Sequence, residues 1–263
     1  MAIVNLTRKY YPFSNILFGL GIYIVGLMIS FYYGASYFFL QVPYFSLGCF
    51  GIIWVSSMWT WAFNSLREIM NELKESFEIP ESKFDNEARH FVELISSDKK
   101  AFFCSIPGYF FVAYHMWLIY SGKILLPFEI PKAVQNITFG IYVSIFFSIC
   151  IYFVFASAYI LINALIFLKK LTKFPIRINI LQVKKKIRLR RTIKAILIAT
   201  IGWFVGASLV MTLLFVYANV VIIGFMIFII AVGLMFFFIS QILIYNSMCK
   251  SKEAVRQKID SEF

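Results

Sequence analysis

Charge is what this chain has least of. Charged residues make up 14% of its 263, hydrophobic residues 61% and aromatics 19%, whereas an ordinary soluble domain carries roughly 25% charge. That balance excludes a water-soluble globule. Histidine is limited to His90 and His115, and cysteine to Cys49, Cys104, Cys150 and Cys249, with no CxxC pair. A single histidine without carboxylate or thiolate company does not make a metal site. Four scattered cysteines in apolar surroundings read as small buried side chains, not as a disulfide framework or a redox pair. No nucleophile stands at usable spacing from a base, no glycine-rich phosphate loop is present, and no apolar run holds paired carboxylates. Catalysis is therefore not expected, and no cofactor or metal is implied.

What is present is hydrocarbon in long runs. Crossing a bilayer takes about 20 consecutive apolar residues in a helix, and six blocks qualify, near 14–33, 44–63, 102–121, 137–167, 195–217 and 220–246. They lack the alternating polar period of barrel strands, so each is read as a helix that satisfies its own backbone in lipid. The first block has no small-residue cleavage site after it and is read as a retained span, not a signal peptide.

The charges draw a topology map. None of the 25 Lys and Arg or the 13 Asp and Glu falls inside an apolar core. Two cations precede the first block, six lie in 64–100, eleven in 169–194 and four in 250–258, leaving Lys123 and Lys132 on the opposite side. Lys and Arg concentrate in short cytoplasmic segments, so six alternating helices with both termini inside the cell account for the distribution. The expected fold class is an all-α, polytopic membrane bundle, N-in and C-in, in the cytoplasmic membrane.

Two inner segments carry pattern. Residues 169–194 form a basic link in which Phe174, Ile176, Ile178 and Ile180 alternate with Pro175, Arg177 and Asn179. Such a basic, regularly apolar stretch fits the headgroup layer, where each Lys or Arg near anionic lipid contributes about 1 kcal/mol. Lys184, Lys185, Lys186, Arg188, Arg190 and Arg191 are the candidate contacts for anionic lipid headgroups or a protein partner. Nucleic acid is not an expected ligand, since basic and aromatic residues are not interleaved. The other segment, 65–98, shows apolar residues at three- and four-residue intervals, which predicts two amphipathic helices divided near Pro80 as a cytoplasmic hairpin. Glu81 suits the start of the second helix. Nine acids against six bases give residues 64–100 a net charge of −3, and the hairpin is expected to dock near the basic link, itself +11. A cytoplasmic tail over 247–263, expected to hold a short terminal helix near 247–262, completes the inner side.

Within the spans, polar residues are hydroxyls and amides. Intramembrane carboxylates of the kind that relay protons are absent, which argues against ion pumping. Ser240, Gln241 and Asn246, near the inner mouth of the sixth span, are candidate lining residues of a pathway, and His115, within the third span, is a fourth candidate. Gly202 and Gly206 form a small-xxx-small spacing, and Gly19 and Gly26 mark one face of the first span, so close helix contacts follow, within the bundle or between copies in a homo-oligomer. Pro107 and Gly108 interrupt the start of the third span.

The pairing of KKLTKFPIRINIL after the fourth span with ISQILIYNSMCKSKEAVRQKI after the sixth resembles uncharacterised archaeal and bacterial multi-pass membrane proteins, in which a basic link and a lysine-rich terminal helix recur. The six-helix, N-in layout is also similar to the permease subunits of export-type ATP-driven transporters, although no coupling segment is recognisable here. Two readings follow. One is a small-solute or ion permeation component, a channel or permease subunit, which polar residues in four spans favour. The other is a non-transporting membrane scaffold or regulator that binds a partner or anionic lipid through the hairpin and basic link.

Overall fold

The computed structural model describes residues 13–41, 43–121, 137–176, 189–214 and 220–262. These form eight helices: α1 (Phe13–Tyr32), α2 (Ser36–Gln41), α3 (Pro43–Ser76), α4 (Glu81–Ile95), α5 (Asp98–Tyr120), α6 (Ile137–Leu171), α7 (Arg190–Leu214) and α8 (Val220–Glu262). Among the described residues no strand occurs, and an isolated antiparallel bridge joins Phe77 to Ile176. Five helices, α1, α3, α5, α6 and α8, are long and apolar enough to cross a membrane. The remaining expected span, in α7, is a 25-residue helix that packs against α3 and α8.

Three expectations change. The first amphipathic helix of the hairpin is not separate, because α3 runs unbroken from Pro43 to Ser76. No proline or glycine stands between Trp61 and Ser76 to stop it. The tail is likewise no independent helix but the end of the 43-residue α8. Nor does Pro107 interrupt α5, which continues through it from Asp98 to Tyr120. Proline removes one backbone donor and usually kinks a helix; here Gly108 takes the ring of Phe155 and the side chain of Ile151 where a Cβ would stand, so α5 and α6 pack closely across that turn.

The break after α1 has a local cause. Gly34 adopts φ 69°, and the amides of Gly34 and Ala35 donate back to Phe31 and Ser30 at 3.1 and 2.7 Å. That is the paired closure of a helix by a left-handed glycine, which a residue with a Cβ adopts only under strain.

α3 and α6 are the central helices. α3 touches α1, α6 and α7, and α6 touches α5, α8 and α4. α1 buries a stripe of Asn15, Gly19, Gly26 and Ser30. Gly19 lies against Ile53 of α3, and Gly26 against the ring of Tyr142 of α6, whose hydroxyl donates to the Ile22 carbonyl at 3.2 Å. At the same end Phe39 stacks on Phe45 with centroids 4.4 Å apart.

Tryptophan indoles stitch the remaining helices. Trp59 Nε1 donates to Ser157 Oγ at 2.9 Å, joining α3 to α6; Trp54 Nε1 donates to the Gly202 carbonyl at 3.1 Å, joining α3 to α7; Trp203 Nε1 donates to the Ile229 carbonyl at 2.9 Å, joining α7 to α8. Two of these acceptors are helix carbonyls that also serve their own ladder. Access to them needs a bare helix surface, and Gly233, one turn beyond Ile229, supplies it: a Cβ there would stand 2.6 Å from the Trp203 ring.

Candidate functional site: the charged collar

The polar ends of α3, α6, α7 and α8 meet at one end of the bundle, with α4 laid across α6. Each contact there can be traced to a residue type. α4 begins at Glu81 after Pro80, as its sequence suits, and buries Phe84, Phe91 and Ile95. Phe91 stacks on Phe167 of α6 at 4.7 Å, with ring planes 11° apart. Around this apolar seam, Glu87 pairs with Lys170 at 2.7 Å and Tyr159 Oη donates to the Leu94 carbonyl at 3.1 Å. Beyond the apolar stretch of α3, Lys74 bridges to Glu81 at 2.6 Å and Asp85 at 3.0 Å, which closes the hairpin. The hydrogen bonds that it donates to Glu81 and then Asp85 hold the Lys74 ammonium above the usual lysine pKa.

The basic link is gripped at both of its described ends. At the start, Phe174–Ile176 is extended and held along both edges. The Glu78 amide donates to the Pro175 carbonyl at 2.9 Å on the hairpin side. On the α8 side, Ser247 Oγ donates to the Phe174 carbonyl at 3.2 Å, and the Ile176 amide donates to Ser251 Oγ at 2.6 Å. Lys83 sits over the Phe174 ring, 5.0 Å from its centroid. The apolar alternation expected of this stretch is thus realised at Phe174 and Ile176, both packed on the core.

At the far end of the link, the Arg191 amide donates to both carboxylate oxygens of Glu72, at 3.0 and 3.1 Å, and the Thr192 amide donates to Glu72 Oε1 at 3.2 Å. Arg191 Nη1 also pairs with Glu68 at 2.9 Å. The first amides of a helix have no partner within it and carry partial positive charge. Here the acid that caps them comes from 119 residues away, on the extension of α3. The sequence places the acidic hairpin near the basic link partly by net charge and partly through the hairpin's apolar stripes. It gives no indication of this cap, for which no local signature exists.

The sequence-derived candidates distribute as follows. Ser240 is 0% exposed and donates to the Phe237 carbonyl of its own helix at 2.9 Å. Gln241 is half-buried, and Asn246 is exposed. Ser240 and Asn246 point about 120° apart around α8 at 3.6 residues per turn. His115 lies in α5, and its side chain is outside the described residues, as are those of Lys184, Lys185, Lys186, Arg188 and Arg190. Of the basic candidates, Arg191 is described, and it serves the collar. Elsewhere the hydroxyls bond back to carbonyls of their own helices: Ser56 to Ile53, Thr60 to Ser56, Ser144 to Gly140, Thr200 to Ile196. This is the usual way a helix satisfies Ser and Thr away from water. Asn15, not singled out by the sequence pattern, is fully buried, with Nδ2 3.4 Å from Thr60 Oγ1 and no partner for Oδ1 among the described residues. Among the described residues no group of three or more His, Cys, Asp or Glu is placed to hold a metal.

Comparison with protein-family models, with curated proteins and with solved structures found no match.

Proposed function

We propose that this chain is a six-span scaffold or regulatory protein of the cytoplasmic membrane, with both termini inside, that presents its collar to anionic lipid headgroups. The observation that carries this reading is the collar itself: three inner segments, distant in sequence, are locked together by directed bonds, and the basic link is held at both ends against the membrane-facing bundle. A device built to hold a cationic segment at headgroup depth gains about 1 kcal/mol per Lys or Arg from an anionic surface. α7, with no charged residue from Ala195 to Leu214, supplies the sixth span. The excess of cations on the collar side supports the inward orientation.

The alternative, permeation, requires Ser240, Gln241 and Asn246 to share a wet cavity. A buried Ser240 bonded within its helix and an exposed Asn246 on another side of α8 favour the scaffold. The test is thermal stability in nanodiscs of phosphatidylcholine, with and without phosphatidylglycerol. The expected result is a higher Tm in the anionic discs, and loss of that gain when Lys184, Lys185 and Lys186 are changed together to Gln. Equal Tm in both lipids overturns the lipid-binding reading.

A further inference from the structure

A cavity of about 130 Å³ lies among α3, α6, α7 and α8. None of the described residues that line it carries a charge, and Trp59, Phe153 and Trp203 set aromatic rings in its wall. An apolar cavity of comparable size, roughly 150 Å³, stays dry and takes benzene when one is offered. The size therefore admits one ring and little more.

Glycine leaves the space. At 3.6 residues per turn, Gly51 and Gly206 each fall within about 20° of the middle of the cavity-lining faces of α3 and α7. A Cβ on Gly51 would have no atom within 4 Å, and one on Gly206 would have only Val55 at 3.5 Å, an ordinary contact. By contrast Gly48 and Gly202, also at the wall, receive Phe146 and Met58. The bundle has therefore used some of its glycines for packing and left the space at Gly51 and Gly206 unfilled.

One hydroxyl sets the chemistry of an occupant. By the same helical geometry Ser157 stands at the middle of the lining face of α6, and its Oγ accepts the Trp59 indole N–H at 2.9 Å. Its own hydrogen has no acceptor among the described residues, whereas Ser144 on the same helix donates back to the Gly140 carbonyl at 2.8 Å. The other indole donor of the wall, Trp203 Nε1, is already engaged by the Ile229 carbonyl. A donor in an apolar wall is costly to leave unpaired, so an acceptor oxygen on the occupant is favoured. An ionised occupant would lie there without a counter-charge, at far greater cost. A flat ring suits the aromatic side chains, which add stacking and edge contacts to apolar burial. The spacing agrees, because Gly206 lies over Val55, four residues along α3 from Trp59. About 6 Å of rise, at ~1.5 Å per residue, thus separates the void at Gly206 from the Trp59–Ser157 bond, a span that one substituted ring covers. We propose that the cavity binds one small, uncharged, single-ring aromatic molecule bearing an acceptor oxygen, to which the Ser157 hydroxyl donates. The site is inside the bundle and does not depend on the headgroup role of the basic link.

The experiment uses the full chain, deuterated and methyl-labelled at Leu and Val, in nanodiscs of deuterated lipid titrated with anisole. Nuclear Overhauser contacts from anisole are read at the wall methyls of Val154 and Leu161 and at the outward methyls of Leu17 and Leu20 of α1. The expected result is wall contacts that saturate with the bilayer concentration of anisole, while those at Leu17 and Leu20 grow in proportion to it. Benzene, which lacks the oxygen, should need a roughly two- to tenfold higher bilayer concentration for half-saturation of the wall, and benzoate should give no saturable wall contact. Gly206→Leu, which fills the void, should abolish the wall contacts and leave those of α1 unchanged. Gly51→Leu, entering from α3, carries the same test if Gly206→Leu fails to fold. Absence of saturable wall contacts in the wild type overturns the proposal. So does half-saturation by benzene at or below the concentration for anisole, saturable contact from benzoate, or a folded glycine variant whose wall contacts persist.

Discussion

Removal of the Glu72 carboxylate tests the collar where its geometry is most specific. Glu72→Ala strips the Arg191 and Thr192 amides of their acceptor. Loss of a side-chain cap costs about 0.5–2 kcal/mol, and the favourable charge at a helix N-terminus a further ~0.3–1. Because Glu72 is half-buried and therefore partly screened, the loss is set in the lower half of the combined range of about 0.8–3, at about 1.5 kcal/mol. At about 1.4 kcal/mol per factor of ten, the amides of the first turn of α7 should exchange with deuterium roughly tenfold faster. The control is Glu68→Ala, which breaks an exposed pair with Arg191, 64% and 65% exposed on the two sides. Such pairs contribute about 0–1 kcal/mol, so less than about fivefold is expected. Hydrogen exchange read by mass spectrometry on a peptide covering Arg191–Ile196, with protein in nanodiscs, measures both. Unchanged exchange in Glu72→Ala, or a larger effect from Glu68→Ala, would refute the cap as the fastening of α7.

Other outcomes follow from single contacts. Ser251→Ala leaves the Ile176 amide without its acceptor in a site where Ser251 is 2% exposed; a loss of about 1–3 kcal/mol is expected, seen as faster exchange at Phe174–Ile176. Gly26→Ala drives a methyl into the Tyr142 ring and should destabilise by about 1–3 kcal/mol, whereas Gly21→Ala, with open space at its Cβ, should be neutral or raise the Tm through helix propensity. Trp203→Phe removes the indole bond to Ile229 and should cost about 0.5–1.5 kcal/mol in reversible denaturation. Thr192→Val replaces a buried hydroxyl that has no partner among the described residues with a near-isosteric methyl, and the Tm should hold or rise.

The parts of this architecture visible in the sequence are those set by composition and short-range period. Apolar blocks found α1, α3, α5, α6, α7 and α8 because hydrocarbon length is a local property. The three-to-four spacing of Phe84, Phe91 and Ile95 found α4 for the same reason. Continuity was harder to see. The pattern changes from apolar to amphipathic at Asn64, but nothing in the residues interrupts the backbone, and the helix runs on. Pro107 misled in the opposite sense, because the cost of a helix proline depends on what packs beside it, here Ile151 and Phe155 against Gly108. The cap of α7 by Glu72, the clamp on Phe174–Ile176 and the three indole bonds were not legible. They join residues from 26 to 148 positions apart, and no short pattern encodes such pairs.

The central claim, a dry bundle carrying a structured collar, is tested most directly by thiol accessibility in proteoliposomes. With Cys49, Cys104, Cys150 and Cys249 replaced, single cysteines at positions 240 and 246 are exposed to a membrane-impermeant maleimide from each side. The account predicts labelling at 246 from the collar side and silence at 240 from both. Labelling at 240 would reveal water inside the bundle at Ser240 and would contradict it in favour of permeation.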